Sequence, residues 1–349
     1  MNSRNFCGSY RPDDVEFLLK RLAQQPFVDV AHKEQLIQSG ARHYSEMLSP
    51  EALPSARYLQ VFENAFAANR QQMARDCLSL AALIAAQRCG PITLVSLVRA
   101  GTPVGVILRH LLQQVMGRAV AHYSVSIIRD RGIDQVALQH ILDQGHAPQS
   151  IVFIDGWTGK GVISRVLTEA IDDFNQRNKV AIDNGLYVLS DLAGSAACAA
   201  SSSDYLIPSS ILNATVSGLV SRSVLNASIG PSDFHGCVYY DEFEAHDQSR
   251  AFADGLIADG VALAQRDGIP KATPIDRAQA ATISTEFLRV TMAQYGINDV
   301  NLVKPGIGEA TRVLLRRVPR LLILRDPDAP DVAHLKLLAA EKSVQLIVD

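Results

Sequence analysis

A glycine-rich turn in the middle of the chain carries the side chains best suited to chemistry. Residues 150–161 read SIVFIDGWTGKG: an apolar strand over 151–154 ends at Asp155, and a short loop leads directly into a helix. Glycines let backbone N–H groups approach an anion closely, and a helix start adds unpaired donors and a positive dipole end. The loop also supplies a hydroxyl and an ammonium group, its members being Gly156, Trp157, Thr158, Gly159, Lys160 and Gly161. The pattern predicts a phosphate-binding turn with a carboxylate beside it.

Several interpretations of this turn compete. A nucleotide P-loop requires GxxxxGK[ST], but the glycines here are too close together and Gly161 stands where Ser or Thr belongs. The dinucleotide fingerprint GxGxxG is absent from the loop. A ribose-phosphate site remains, in which Asp155 would hold the ribose hydroxyls while the loop holds the 5-phosphate. A tight strand-to-helix turn, with glycines for geometry alone, also remains open.

A second candidate loop follows the strand predicted at 92–98. Its members are Arg99, Ala100, Gly101 and Thr102. A guanidinium group with backbone amides can stabilise negative charge on a bound anion. Arg129 and Arg131 follow the next predicted strand, 120–128, and are candidates to contact the same anion. The alternative for all three arginines is an ordinary solvated charge after a core strand.

The two loops together resemble the type I phosphoribosyltransferases, whose signature is a hydrophobic strand, acidic residues and a Thr/Gly-rich phosphate loop. The resemblance implies a glycosyl-transfer enzyme that uses phosphoribosyl pyrophosphate and Mg²⁺ to modify an unknown base. Asp155 and Arg99 would be catalytic, and Asp155 would also contact the metal. The other residues of both loops would bind substrate, and Arg129 and Arg131 would belong to a mobile hood. Because Asp155 is the one acidic residue at this position, a regulator that binds phosphoribosyl pyrophosphate or a nucleotide without turnover is an alternative.

Alternating strands and helices are expected to position these loops. Apolar runs predict strands at 92–98, 120–128, 151–154 and 186–190, with helices between them and a further strand candidate at 204–208. This alternation predicts an α/β fold with a parallel sheet, which the resemblance makes phosphoribosyltransferase-type, and ligands then bind at the carboxyl ends of the strands. Helical spacing of apolar residues before the sheet predicts helices at 13–25, 31–47 and 56–89. We therefore expect a helical N-terminal extension over 1–90, the sheet domain over 91–248, a helix and linker over 249–275, and a small α/β domain over 276–349.

The small C-terminal domain has its own motif. Residues 301–326 read NLVKPGIGEATRVLLRRVPRLLILRD, with a strand predicted at 299–304 and a helix at 307–317. This segment resembles the Pelota-like branch of the L7Ae superfamily, whose G-x-N-E-x-x-K helix start contacts RNA, with Gly308 at the Asn position. The resemblance implies RNA contacts by Lys304, Gly306, Glu309, Arg312 and Arg316. The alternative is a packing domain with a solvated basic face.

The combination of both halves resembles a bacterial fusion family encoded near tellurite-resistance genes. The segments HYSEMLS, RAGTP, SIIRDRGID, IDGWTGKG and DFHGCVYY carry this resemblance. The family implies a stress-response role and the synthesis of a nucleoside-like metabolite. Its members are also labelled StiP-type cysteine proteases.

Proteolysis is a further alternative, and the positions of the cysteines and of nearby histidine and acidic residues bear on it. A cysteine protease requires a thiolate, a histidine base and an orienting group. Cys237 lies two residues after His235 and four after Asp233, and Cys7 is a second candidate thiol. No flanking signature supports either thiol, and a buried inert cysteine is the commoner case. The sequence therefore favours the transferase over the protease.

Bulk composition narrows the setting of the protein. A chain of 349 residues with 48% hydrophobic and 20% charged residues can bury a sizeable core. A net charge of -3 gives no global sign of nucleic-acid or membrane binding. Five cysteines without CxxC spacing argue against a disulfide framework, and no signal peptide or membrane span is evident. We expect a cytoplasmic protein without a membrane partner, and the resemblance implies that two copies can pair as a homodimer.

Overall fold

A mostly parallel sheet lies at the centre of the protein in a computed structural model that describes residues 6–23, 35–37, 39–271 and 273–348. The strands are β1 (Glu16–Leu18), β2 (Lys20–Arg21), β3 (Ile92–Val98), β4 (Val120–Ile128), β5 (Gly132–Ile133), β6 (Ile151–Ile154), β7 (Trp157–Thr158), β8 (Leu186–Asp191), β9 (Cys198–Ser201), β10 (Gly236–Cys237), β11 (Leu321–Leu324) and β12 (Gln345–Val348). The helices are α1 (Ala56–Gln87), α2 (Gly101–Gln114), α3 (Gln135–Asp143), α4 (Val162–Asn178), α5 (Ser249–Asp267), α6 (Arg277–Tyr295), α7 (Ile307–Arg316) and α8 (Ala333–Glu341).

The central sheet has the strand order β1-β4-β3-β6-β8-β7, and neighbours along this path are parallel. β5 adds an antiparallel pair to β4, and β9 pairs in parallel with β8. β3 and β6 are apolar over most of their length because helices cover both faces of a parallel sheet. The prediction of an α/β fold with a mostly parallel sheet is confirmed.

Two apolar layers hold the helices on the sheet. On one face, α1, α2 and α5 pack against residues such as Leu94 and Ile154. On the other face, α3 and α4 pack against residues such as Val95 and Phe153. Successive strand residues point to opposite faces, so each strand contributes to both layers. The carboxyl ends of β3, β4, β6 and β8 are thereby left as the edge where loops gather.

Several predicted elements differ in the structure. The predicted helix 13–25 is wrong: β1 pairs with β4, and Phe17 and Leu18 are buried there, so tertiary pairing overrides the helical spacing. The strand predicted at 204–208 is also absent from this described segment, and β9 lies just before it. Much of the helix predicted at 31–47 falls outside the described residues. Within it, 35–37 is helical and Tyr44–Glu46 forms a short 3-10 helix.

The C-terminal unit consists of α6, α7, α8 and the parallel pair β11–β12. The strand predicted at 299–304 is instead a 3-10 turn over Val300–Leu302. The first N–H of α7, that of Ile307, donates to Asp204 Oδ1 at 2.9 Å. Arg57 of α1 forms an ion pair with Glu341 of α8. These contacts place the C-terminal unit directly against the domain that contains the sheet.

Candidate functional site

Asp155 begins the turn that leaves β6. Its N–H donates to the carbonyl of Tyr187, and its Oδ1 accepts the N–H of Gly156 at 2.8 Å. Burial raises the pKa of Asp155 to about 6, although that hydrogen bond and the charge of Arg312 lower it. Gly101 is packed against the Ile154 carbonyl and the Asp155 backbone. The carboxyl ends of β3 and β6 therefore meet, as the sequence predicts, and a carboxyl group with a perturbed pKa lies between them.

The loop after Asp155 is an ordered strand-to-helix turn. Thr158 Oγ1 accepts the N–H of Gly161 at 3.0 Å, and Thr158 is buried. Gly161 has φ +70 and caps α4, and a Cβ there would lie 2.5 Å from the Cβ of Ser195. Glycine is required at this position by both its conformation and its close neighbour.

The outer face of this loop is covered by the C-terminal unit. Lys160 Nζ donates to the carbonyls of Val300 and Val303 at 2.9 and 3.0 Å. The guanidinium of Arg312 lies 5.3 Å from the ring centroid of Trp157. A Cβ added at Gly308 would lie 3.1 Å from the indole ring, so the two backbones approach closely.

Little room remains between the loop and the C-terminal unit. The cavity lined by Trp157, Gly159, Asp204, Gly306 and Glu309 measures about 10 Å³. That is about the space one water molecule needs, so it cannot hold a sugar phosphate. The loop's ammonium, glycines and indole instead contact this chain's own residues 300–312.

The side chain of Arg99 has partners outside this loop. Its guanidinium donates to Glu51 Oε1 at 2.5 Å, to Asn213 Oδ1 at 2.9 Å and to the carbonyl of Val220 at 3.2 Å. The ion pair with Glu51 is largely buried, with side chains 12% and 15% exposed. The structure therefore brings the backbones of Ala100, Gly101 and Asp155 together but commits the Arg99 side chain to another cluster.

The other residues predicted to contact the anion also have partners within the protein or are exposed. Thr102 is buried, and its hydroxyl pairs with that of Ser124 at 2.7 Å. Arg131 forms an ion pair with Glu46 at 2.5 Å. Arg129 is exposed, and its backbone N–H donates to the hydroxyl of Tyr44.

Sequence reasoning used HYSEMLS for the family resemblance but did not predict that this segment binds the arginines. Residues 43–51 read HYSEMLSPE, and the segment supplies Glu46 and Glu51 to the ion pairs described above. Arg222 donates to the carbonyls of Tyr44 and Met47, and burial lowers its pKa. The sequence did contain a signal for these ion pairs: two carboxylates in a short segment, and arginines directly after predicted strands.

The predicted RNA contacts lie at the start of α7 and just before it. Gly306 packs on Leu192 and Asp204, while Glu309 and Arg312 form a 3.8 Å ion pair beside Trp157. Burial is the main cause that lowers the pKa of Lys304. The side chain of Arg316 lies outside the part of the chain that the structure describes.

All five cysteines lie among the described residues, and all are free thiols. Cys237 is fully buried, and burial raises its pKa to about 12. His235, whose Nδ1 pairs with Ser126 Oγ at 2.8 Å, is committed to a different neighbour. Burial also raises the pKa of Cys77 and that of Cys198, to about 11 for the latter. Cys7 is half-buried, and Cys89 is exposed.

Mg²⁺ binding at Asp155 stays a prediction. Within the described ranges, no group of three or more His, Cys, Asp or Glu side chains is arranged to hold an ion. A carboxyl group whose pKa burial has raised is a poor Mg²⁺ ligand by itself. Within the same ranges, no helix has the length and apolarity to cross a membrane.

The fold and these sites define a two-part protein, an α/β domain joined to a small basic unit. Residues 8–257 match the family described as tellurite-like stress resistance cysteine protease StiP, and residues 282–349 match the PELOTA RNA binding domain. A protein of Acinetobacter baylyi named "Cysteine protease StiP" is 41% identical over 358 aligned positions, which cover 99% of this chain and 92% of that protein. The chain belongs to the StiP family of stress-resistance proteins and carries a Pelota domain.

The predicted transferase activity is wrong. The relative that matches almost the whole chain is named a cysteine protease, and the matching family carries the same description. In the structure, the Arg99 side chain is ion-paired with Glu51, and the C-terminal unit covers the loop that was expected to hold a phosphate. The protease, which the sequence ranked lowest, is the interpretation that the comparisons support.

Proposed function

We propose that this chain is a thiol-dependent protease of the stress response. The observation that carries the proposal is the 41% identity, over nearly the full length of both chains, to a protein named a cysteine protease. Such an enzyme attacks a peptide carbonyl with a thiolate, and a histidine takes the thiol proton and later protonates the leaving amine. The question for this chain is which thiol attacks.

Burial eliminates three of the five thiols and leaves Cys7 and Cys89. Cys77, Cys198 and Cys237 are at most 2% exposed, and burial holds their thiols protonated well beyond neutral pH. A buried neutral thiol can neither meet a peptide nor act as a nucleophile. Cys89 is exposed at the end of α1 and provides a natural control.

Several contacts hold the residues next to Cys7. Gly8 has φ +58 and packs against the carbonyl of Gly218, while the N–H of Ser9 donates to the same carbonyl at 3.1 Å. Arg250, near the start of α5, donates through Nε to the Ser9 carbonyl at 2.6 Å. Burial raises the pKa of Cys7, and the charge of Arg250 lowers it. The net pKa of Cys7 is raised, so a base must take the thiol proton, while the charge of Arg250 favours the thiolate that results.

Asp14 connects this thiol with a histidine. Its carboxylate raises the pKa of Cys7, and its Oδ1 lies 2.8 Å from His110 Nε2. The carboxylate favours the tautomer with the proton on Nε2, which leaves the lone pair of Nδ1 as an acceptor, 3.3 Å from Gln114 Nε2. We assign His110 as the base and Asp14 as the group that orients it. Among the described residues no hydrogen bond joins a thiol to an imidazole, so the attack requires movement of the Cys7 loop or of His110.

A cleft beside His110 is suited to a peptide. It measures about 440 Å³ and is lined by His110, Gln114, Asp254, Ile257, Ala258, Val261, Ala262 and Gln265. Apolar walls with a few polar groups are typical of substrate clefts.

The test compares Cys7→Ser with Cys89→Ser in a fluorogenic peptide assay, with and without iodoacetamide. We expect Cys7→Ser to lower kcat/KM by at least about a hundredfold, because the hydroxyl is a far weaker nucleophile here, and Cys89→Ser to leave it unchanged. Full activity of Cys7→Ser would refute the assignment of the nucleophile. Absence of any iodoacetamide-sensitive hydrolysis by the wild-type chain would refute the protease itself.

RNA binding by the C-terminal unit is a second part of the proposal. The match of residues 282–349 to the PELOTA RNA binding domain supports it. Lys304 and Arg312 give this unit cations of the kind that contact a phosphate backbone.

A further inference from the structure

We propose that basic side chains from both parts of the chain form one RNA-binding surface, here named the basic seam. It consists of Arg129, Lys160, Lys304, Arg312 and Arg317. The ligand is the sugar-phosphate backbone of RNA. This inference rests on the proposed RNA binding of the C-terminal unit and assigns half of that function to the sheet domain.

Lys160 fixes the two halves of the basic seam together. Its ammonium group donates to the carbonyls of Val300 and Val303, and Lys304 is the next residue along the chain. The charges of Arg129 and Lys304 both lower the pKa of Lys160, after burial as the main cause. Arg129 and Arg317 likewise lower the pKa of Lys304. Cations from opposite parts of the chain are therefore close enough to repel one another.

Carboxylates offset part of this repulsion. Glu309 and Asp299 are the carboxylates that raise the pKa of Lys160 and Lys304. Asp130, beside Arg129, is exposed. Gathering like charges at a partly buried surface costs free energy, which a bound polyanion would recover. A bound RNA backbone would therefore reduce the repulsion among Arg129, Lys160 and Lys304.

The shape of the surface favours a polymer over a small nucleotide. The cavity next to the seam is only about 10 Å³, so a mononucleotide has no enclosed pocket there. Arg129 and Arg317 are exposed, and Lys160 and Lys304 are partly so. Exposed cations spread across two elements match successive phosphates of a backbone. Arg and Lys without an Asn at position 308 favour backbone contact over base readout.

The experiment titrates the full-length chain into a fluorescently labelled RNA of about 20 nucleotides and measures polarisation at several salt concentrations. The variants are Arg129→Gln in the sheet domain and Lys304→Gln in the C-terminal unit. Arg177→Gln is the matched control, because Arg177 is an exposed arginine of α4 paired with Asp173. We expect both seam variants to weaken binding about threefold to tenfold and to reduce the salt slope by about 0.7 to 0.9, as for one lost phosphate contact each. Arg177→Gln should match the wild type.

The outcomes separate the seam from the proposed RNA binding. If Lys304→Gln weakens binding while Arg129→Gln does not, the C-terminal unit binds RNA alone and the seam is refuted. If the wild type binds no RNA, both fail. Trp157 is the one tryptophan of the chain, and it stacks on Arg312. Saturating RNA should therefore change its emission, and an unchanged spectrum would place the RNA elsewhere.

Discussion

Two glycine-containing turns at the same edge of the sheet are both predicted from sequence to bind anions. In the structure, their cationic side chains have different kinds of partner. The turn after β3 carries Arg99, and that side chain is held inside the sheet domain by Glu51. The turn after β6 carries Lys160, and that side chain is held by carbonyls of the C-terminal unit. One turn is closed by a buried ion pair and the other by a neighbouring unit.

The sequence of a loop therefore indicates that it could bind an anion. Residues elsewhere in the chain determine whether the cation of that loop is already paired. Both turns have the glycines and cations of a phosphate site. In each, an oxygen atom of the same chain accepts a hydrogen bond from the cation of the turn. Substitutions at each turn test this difference, and Glu51→Ala should lower the free energy of unfolding the most.

Glu51→Ala tests the closed turn after β3. The variant leaves the guanidinium of Arg99 largely buried without its carboxylate, so we expect the free energy of unfolding to fall by about 3 kcal/mol. Urea denaturation followed by circular dichroism measures the change. Glu46→Ala is the control, because its ion pair with Arg131 is about twice as exposed and should contribute less than about 1 kcal/mol. Equal effects of both variants would mean that Arg99 is no more dependent on its partner than Arg131.

Asp155→Asn tests the burial of the carboxyl group between the turns. The pKa of about 6 in the folded chain lies above the ordinary value of 3.8, so the folded state binds the proton more tightly. Stability should therefore fall as pH rises from about 4 to about 6, by about 2 kcal/mol, and stay low above that range. The asparagine variant lacks this pH dependence and should be the more stable protein at pH 7. Parallel pH profiles of thermal unfolding would contradict the raised pKa.

Lys160→Met tests the covered turn after β6. The variant keeps the apolar stem and removes two hydrogen bonds to the C-terminal unit, but it also relieves repulsion with Lys304. We expect the attachment of the C-terminal unit to weaken by only about 1 kcal/mol. The emission of Trp157 during urea titration reports this step directly. A loss of free energy as large as that caused by Glu51→Ala would show that the contacts of Lys160 contribute as much as the ion pair of Arg99.

The sequence predicts the fold wherever one local pattern decides the structure. β3, β4 and β6 have the predicted bounds because each is rich in apolar and β-branched residues and is mostly buried. The helix predicted at 13–25 is wrong because Glu16–Leu18 finds a pairing partner in β4, more than a hundred residues away. Local spacing contains no information about that partner.

The candidate sites show the same limit. The meeting of Gly101 with Asp155 follows from parallel strands and could be predicted. The partners of Lys160 lie 140 residues further along the chain, and the partner of Arg99 lies 48 residues earlier. Sequence alone could not show that these cations are already engaged. It also could not rank the thiols, because burial of Cys237 depends on the pairing of β10 with β2.

The hydrogen bond from the Ile307 N–H to Asp204 has a practical consequence for work with fragments. The opening turn of α7 receives its cap from a residue 103 positions upstream. Cutting the chain within 268–275 would leave that turn without its carboxylate and would uncover apolar surface around Leu314 and Leu335 that packs with the larger core. In a separately expressed C-terminal unit, the start of α7 would therefore fray, and the uncovered apolar surface would favour aggregation.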